Sequence, residues 1–175
     1  MTQTPHGPSE PSPWVVRFAG LVPAGGTVLD VAAGAGRHAR FFLGRGHPVV
    51  AVDRDVSRLV PSAGLEIVQA DLESDPWPLG ERRFQGVVVT NYLHRPLFPP
   101  LIAALVPGGA LIYETFAVGN ERFGKPSNPD FLLKRGELLE FARQARLTVV
   151  AYEDLTVAEP RPATVQRIAA LREAS

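Results

Sequence analysis

The chain has 175 residues, 45% of them hydrophobic and 21% charged, which is enough for one domain with a substantial core. Its 18 basic and 18 acidic residues cancel to zero net charge, which excludes a whole-molecule field drawing it to nucleic acid. It has no cysteine, which excludes disulfides, thiolate metal sites and cysteine nucleophiles together.

Residues 1–12 are rich in Pro, Ser and Gly and are expected to be a disordered tail, leaving 13–175 as the single domain. The start has no basic segment followed by an apolar core, and no run approaches the ~20 apolar residues of a membrane span. A cytoplasmic protein is therefore expected. Ser12 and Pro13 open a short helix through Ala19 as N-cap and first helical residue. A strand at about 27–31 leads through a small-residue turn into a helix from Arg37 to Arg45, closed by Gly46. A second strand spans about 48–53 and is followed by a short helix at about 55–60. A third covers Leu65–Ala70 and ends at Asp71; Glu73–Arg82 is a polar loop.

The continuous apolar run Phe84–Thr90 reads as a buried parallel strand. A helix limited by Pro99-Pro100 occupies part of 96–106, Pro107-Gly108-Gly109 forms a tight turn, and a fifth strand covers Ala110–Thr115. Residues 117–134 form a long polar loop of the kind that lines binding sites. A helix at about 136–145 and a strand at about 147–153 follow. The segment Leu155–Leu171 fits either a further strand after the turn at 159–162 or, by the local propensity of Gln166–Leu171, a helix, and the sequence leaves the two open. The alternation gives a single-domain α/β fold, Rossmann-like and doubly wound, with a mostly parallel seven-stranded sheet and helices on both faces.

The most informative stretch is Val28-Leu29-Asp30-Val31-Ala32-Ala33-Gly34-Ala35-Gly36-Arg37-His38. An apolar strand carrying an acid runs into a turn where a ligand can lie against bare backbone, beside the free N–H groups of a helix start. Seventeen residues after Gly36, the run Val49–Val52 ends in Asp53, an acid placed for a ribose. The same glycines also fit the dinucleotide fingerprint through Gly34-Ala35-Gly36-Arg37-His38-Ala39. Asp30 weighs against that reading, because its carboxylate would repel a pyrophosphate and suits a cationic amino-acid tail.

In order, these motifs resemble a class I S-adenosylmethionine-dependent methyltransferase. The turn after strand one reads Asp30-Val31-Ala32-Ala33-Gly34-Ala35-Gly36, acids end strands two and three at Asp53 and Asp71, and strand four runs into Asn91-Tyr92-Leu93-His94. Leu105-Val106-Pro107-Gly108-Gly109 matches the family's hairpin before strand five. The resemblance runs from about residue 14 to the end, and the outline is similar to short bacterial tellurite-resistance-type methyltransferases. Ala32 departs from the pattern, standing where a glycine is usual, and a negative φ is expected there.

The resemblance implies S-adenosylmethionine as cofactor. Asp30, Ala32, Gly34 and Gly36 would hold its homocysteine part, Asp53 the ribose hydroxyls, Arg54, Asp71 and Leu72 the adenine, with Asn91 beside the reactive methyl. Against this, Asp30 and Asp71 also read as turn-stabilising acids. His94 and Tyr92 are the catalytic candidates, His94 as a general base or as a surface residue orienting its loop. Trp14, Phe116, Asn120 and Phe123 are candidates for the acceptor pocket, although Trp14 also reads as core packing. Arg37, Arg40, Arg45, Arg54 and Arg58 read as solvated charges. The histidines at 6, 38, 47 and 94 show no ligand spacing, so no metal is expected. A small-molecule acceptor is favoured and nucleic acid disfavoured. The alternatives are an NAD(P)-binding oxidoreductase and a methyltransferase acting on RNA or protein.

Overall fold

A computed structural model describes residues 9–174. Most of the tail expected over 1–12 lies outside the described residues. Its last residue, Ser12, is buried and caps α1 (Pro13–Phe18) by accepting the Trp14 N–H at 3.2 Å.

Seven strands form one sheet in the order β3-β2-β1-β4-β5-β7-β6: β1 (Val28–Val31), β2 (Val49–Asp53), β3 (Leu65–Gln69), β4 (Phe84–Thr90), β5 (Leu105–Phe116), β6 (Leu147–Val157) and β7 (Ala163–Arg172). The sheet is mixed. The strands from β3 across to β5 pair in parallel, and β7 runs antiparallel to both β5 and β6. Alternate side chains feed two cores. Leu29, Val31, Val50, Val52, Val87 and Val89 face α3 (Phe98–Ala103) and α4 (Glu137–Gln144). Val28, Val49, Ala51 and Val88 face α1 and α2 (Arg37–Gly44).

Several expected elements differ. No helix forms at 55–60, because Asp53 and Asp55 capture the N–H groups of Asp55 and Ser57 at 2.9 and 3.0 Å, favouring turns over a helix. Pro107-Gly108-Gly109 does not precede strand five but lies within it, as a bulge. Between Phe84↔Leu105 and Gly86↔Ala110, β4 advances two residues while β5 advances five. The helix placed within 96–106 shrinks to α3 after a 3-10 turn at Arg95–Leu97, since Leu105 is already paired with Phe84. The loop 117–134 contains two 3-10 turns, Asn120–Arg122 and Pro129–Phe131. The segment 163–172 is a strand despite its helix propensity, since it pairs with a neighbour on each side.

One buried polar side chain ties α4 to the sheet. Gly136 precedes α4 and has no side chain to cap it. Gln166 on β7, fully buried, supplies the cap instead: its Oε1 accepts the Leu138 N–H at 2.7 Å and its Nε2 donates to the Lys134 carbonyl at 2.9 Å. Gln166→Leu should therefore orphan the buried Leu138 N–H, while the Lys134 carbonyl keeps the Glu137 N–H at 3.0 Å, and cost about 1–3 kcal/mol, read from urea unfolding. A cost well below about 1 kcal/mol would mean that water replaces the bond to Leu138.

Candidate active site

All four residues of β1 are buried, and Asp30 is its one charged side chain. Oδ2 of Asp30 is the single buried side-chain atom without a hydrogen-bond partner among the described residues. Burial pushes its carboxyl up to about 7, against the Ala39 N–H at the start of α2 and the charge of Arg37, both of which favour the ionised form. Arg37 is correspondingly not a solvated charge. Burial lowers its pKa while Glu114 and Asp30 oppose that shift, and the guanidinium donates to the Glu10 carbonyl at 3.0 Å.

The turn after β1 is left-handed at Ala32 (φ 55°), Gly34 (φ 58°) and Gly36 (φ 82°). The negative φ expected at Ala32 is thus incorrect. The turn is held closed by Ala33 N–H to Val52 O (3.0 Å) and Gly36 N–H to Ala33 O (2.9 Å), which leaves an L-residue strained there. A Cβ on Gly36 would lie 2.8 Å from the Leu59 Cδ2 methyl, which would have to shift, so glycine is favoured there first by conformation. The Gly34 N–H donates to Asp53 Oδ2 at 2.8 Å, so the acid ending β2 braces the turn directly.

Asp53, Ala32 and Arg54 line a cavity of about 250 Å³ with Ala70, Asp71, Leu72, Glu73 and Tyr92. Asp53 Oδ1 accepts the Asp55 N–H, and each carboxylate oxygen keeps a further lone pair for a ligand. The Glu73 N–H and the Ser74 hydroxyl hold the exposed Asp71 carboxyl below the usual range, in the turn that its residue type also suggested.

A second cavity of about 250 Å³ adjoins the first through Glu73 and Tyr92, and is completed by Asn91, Leu93, Thr115, Phe116, Pro126 and Phe131. Asn91 leaves β4 with φ 53°, its N–H held by the Glu114 carbonyl at 2.9 Å. The buried Tyr113 hydroxyl donates to the Tyr92 carbonyl at 2.8 Å, fixing the backbone that carries Tyr92. Burial, then the charges of Glu73, Asp71 and Asp53, push the Tyr92 phenol up to about 12. Arg95 anchors the far wall: it pairs bidentately with Glu137 (2.7 and 2.9 Å) and donates to the carbonyls of Asp130 and Leu132.

Of the expected acceptor residues, Phe116 lines this cavity and three do not. Trp14 is 3% exposed, its indole N–H bonded to the Ile168 carbonyl, and belongs to the core. Asn120 is buried with its amide spent on Pro126 O and Thr164 N–H, which holds the 117–134 excursion against β7. Phe123 is exposed beneath Arg122. His94 is half-buried at the start of the Arg95–Leu97 turn and lines neither cavity.

Sequence reasoning missed a polar cluster behind the turn. His38 Nε2 accepts the Ser12 N–H at 3.0 Å, so neutral His38 carries its proton on Nδ1, facing Thr90 Oγ1 at 3.3 Å. Burial and then Arg37 lower its pKa to about 3. Ser12 donates to Glu114, which pairs with Arg167, and Arg167 also binds Glu153. These partners come from both ends of the chain, and no local pattern announces them.

The chain superposes on several solved methyltransferases. It matches a 1,6-didemethyltoxoflavin-N1-methyltransferase from Burkholderia thailandensis, solved with its substrate and S-adenosylhomocysteine, at TM-score 0.66 and 22% identity, covering 92% of this chain and 77% of that one. TehB from Haemophilus influenzae matches at TM-score 0.73 and 15% identity over 91% of this chain, which spans 61% of that protein. A TehB-like S-adenosylmethionine-dependent methyltransferase from Corynebacterium glutamicum matches at 0.64 and 18%, covering 91% and 87%. The chain has the fold of the S-adenosylmethionine-dependent methyltransferases. No protein-family model matches it, and comparison with curated protein sequences finds no match.

Two outcomes follow from this geometry. Replacing Ala32 by glycine should relieve its left-handed strain and raise stability by about 1 kcal/mol, which a thermal melt would show as a few degrees. An unchanged or lower melting temperature would show that the turn carries no such strain.

The second outcome concerns pH. Folding raises the Asp30 pKa from 3.8 to about 7, so its contribution to stability falls as pH rises through that window. Folding lowers the His38 pKa from 6.5 to about 3, so its contribution rises with pH through nearly the same window. The two slopes oppose each other. In urea unfolding between roughly pH 4.5 and 6.5, Asp30→Asn should give stability that rises with pH, and His38→Gln stability that falls. Slopes of the same sign in both variants would contradict the assignment.

Proposed function

We propose that this chain is an S-adenosylmethionine-dependent methyltransferase acting on a small-molecule acceptor. The observation that carries the proposal is the buried Asp30 carboxyl with its unpaired Oδ2, under a left-handed glycine turn that abuts a nucleoside-sized cavity. A buried carboxyl with one oxygen lacking a partner fits a cationic ligand group and disfavours a pyrophosphate, which sets this reading above an NAD(P)-dependent oxidoreductase.

In this reading Asp30, Ala32, Gly34 and Gly36 hold the amino-acid end of the cofactor, Asp53 its ribose hydroxyls, and Arg54, Asp71 and Leu72 its adenine, with Asn91 beside the transferable methyl. The cofactor supplies a methyl group already activated on a sulfonium. The protein's work is then alignment and exclusion of water. The strained Asn91 backbone, the Tyr92 ring and Phe116 set the path to the second cavity, where the acceptor sits. His94, as a general base, would have to turn inward from the Arg95–Leu97 turn, and alignment alone suffices for an acceptor that needs no deprotonation. A small-molecule acceptor suits two compact cavities and a chain without net charge. The Burkholderia neighbour, with its own small-molecule substrate bound, shows this fold in such a role. Among the described residues no helix is long and apolar enough to cross a membrane. A cysteine-free chain is suited to the reducing cytoplasm.

Isothermal titration tests the proposal. S-adenosylhomocysteine should bind in the micromolar range and NADH should not compete; NADH binding without any response to S-adenosylhomocysteine would overturn it. Asp53→Ala removes charge-assisted hydrogen bonds worth roughly 1.5–3 kcal/mol each. It should weaken S-adenosylhomocysteine about 10- to 100-fold. Undiminished affinity would make Asp53 a brace for the turn and nothing more.

A further inference from the structure

The second cavity carries information about what it accepts. Three aromatic rings, Tyr92, Phe116 and Phe131, stand around it with Leu93 and Pro126, so its walls favour a flat, apolar body. Its polar side chains are those of Asn91, Thr115, Glu73 and, through its phenol, Tyr92. No lysine, arginine or histidine lines it. The one arginine of the adjoining cavity, Arg54, shares that space with Asp53, Asp71 and Glu73. An anionic acceptor entering here would meet carboxylates and ring faces, and both repel negative charge. A ring carrying positive charge or a polarised nitrogen would meet those same groups as partners.

We propose that the acceptor is a planar nitrogen heteroaromatic compound, neutral or cationic, and that Glu73 selects against anions. This rests on the methyltransferase reading above and narrows it. The geometry divides the labour. Phe116, rooted at the end of β5, and Phe131, on the 3-10 turn Pro129–Phe131, provide the stacking faces. Glu73 stands at the border of both cavities with its side chain exposed, so its carboxylate acts on whatever enters either space. Tyr92, on the same border, is held by the Tyr113 hydroxyl and adds a third ring face. An oxyanion or aromatic carboxylate, by contrast, finds no cationic group in these walls to offset its lost hydration.

Three bicyclic probes of nearly equal size and shape separate charge from stacking: isoquinoline, N-methylisoquinolinium and 2-naphthoate. Each is titrated into the full chain saturated with S-adenosylhomocysteine, with binding followed by protein-observed NMR. Isoquinoline and N-methylisoquinolinium should bind at least tenfold more tightly than 2-naphthoate. Glu73→Gln should shrink the preference for the cation over the anion at least threefold while leaving isoquinoline within about twofold. Phe131→Ala should weaken all three together. Equal or tighter binding of 2-naphthoate, failure of all three to bind, or a cation preference untouched by Glu73→Gln would each overturn the proposal. A parallel titration with S-adenosylhomocysteine alone keeps the two readings apart. Cofactor binding without charge discrimination defeats only the acceptor class, and charge discrimination without cofactor binding defeats the methyltransferase reading.

Discussion

A carboxyl group sealed under the first turn of a helix is the constraint around which this molecule is arranged. Asp30 sits in a strand whose other residues are all aliphatic, and its Oδ2 has no partner. Burying such a group is expensive, and the Ala39 N–H satisfies only one of its two oxygens. Here the surroundings are unusually well tied. Ala33 is bonded to β2, Gly34 to Asp53, and the opening residues of α2 to the segment at 10–12. The left-handed residues Ala32, Gly34 and Gly36 carry the chain around that carboxyl, and backbone hydrogen bonds hold the turn closed.

The edge strands show how little scaffold this arrangement needs. The connections from β2 to β3 and from β3 to β4 contain no helix, so one end of the sheet is shaped by Asx turns at Asp53, Asp55 and Asp71. Those turns place Asp53, Arg54, Asp71 and Glu73 around a single cavity. A wall made of turns offers side chains and backbone polar groups to a ligand at close range, which a helical wall would keep behind its own hydrogen bonds.

Local pattern made the sheet legible. The apolar runs at 28–31, 49–52 and 87–89 pair as their composition implies, and Ser12-Pro13 opens α1 as its residue types demand. The glycine turn and the acids at 53 and 71 were legible because their chemistry is local. What was not legible depends on contacts far apart in sequence. Gln166 caps a helix 28 residues away, His38 accepts the N–H of a residue 26 positions earlier, and Asn120 is spent on β7 rather than on a ligand. The sign of φ at Ala32 failed for the same reason: a methyl group prefers negative φ, but two hydrogen bonds to neighbouring backbone override it. Glu73 went unnoticed because an acid in a polar loop looks like any other until the fold sets it between two cavities.

The excursion between β5 and α4 is pinned at both ends and at Asn120 between them. Ala117 and Val118 bond to Thr164 and Leu133, while Arg95 grips the carbonyls of Asp130 and Leu132 from the β4 side. Asn120 adds an inner tie to Pro126. Residues 121–125 and 127–129 are exposed and lie outside these anchors. Such an arrangement is a cassette: its contents can be rewritten by evolution or by library selection while the clamp and the sheet beneath keep their shape. The parts that recognise one molecule can drift separately from the parts that hold another, and a lineage built on this frame can change its chemistry's target one short segment at a time.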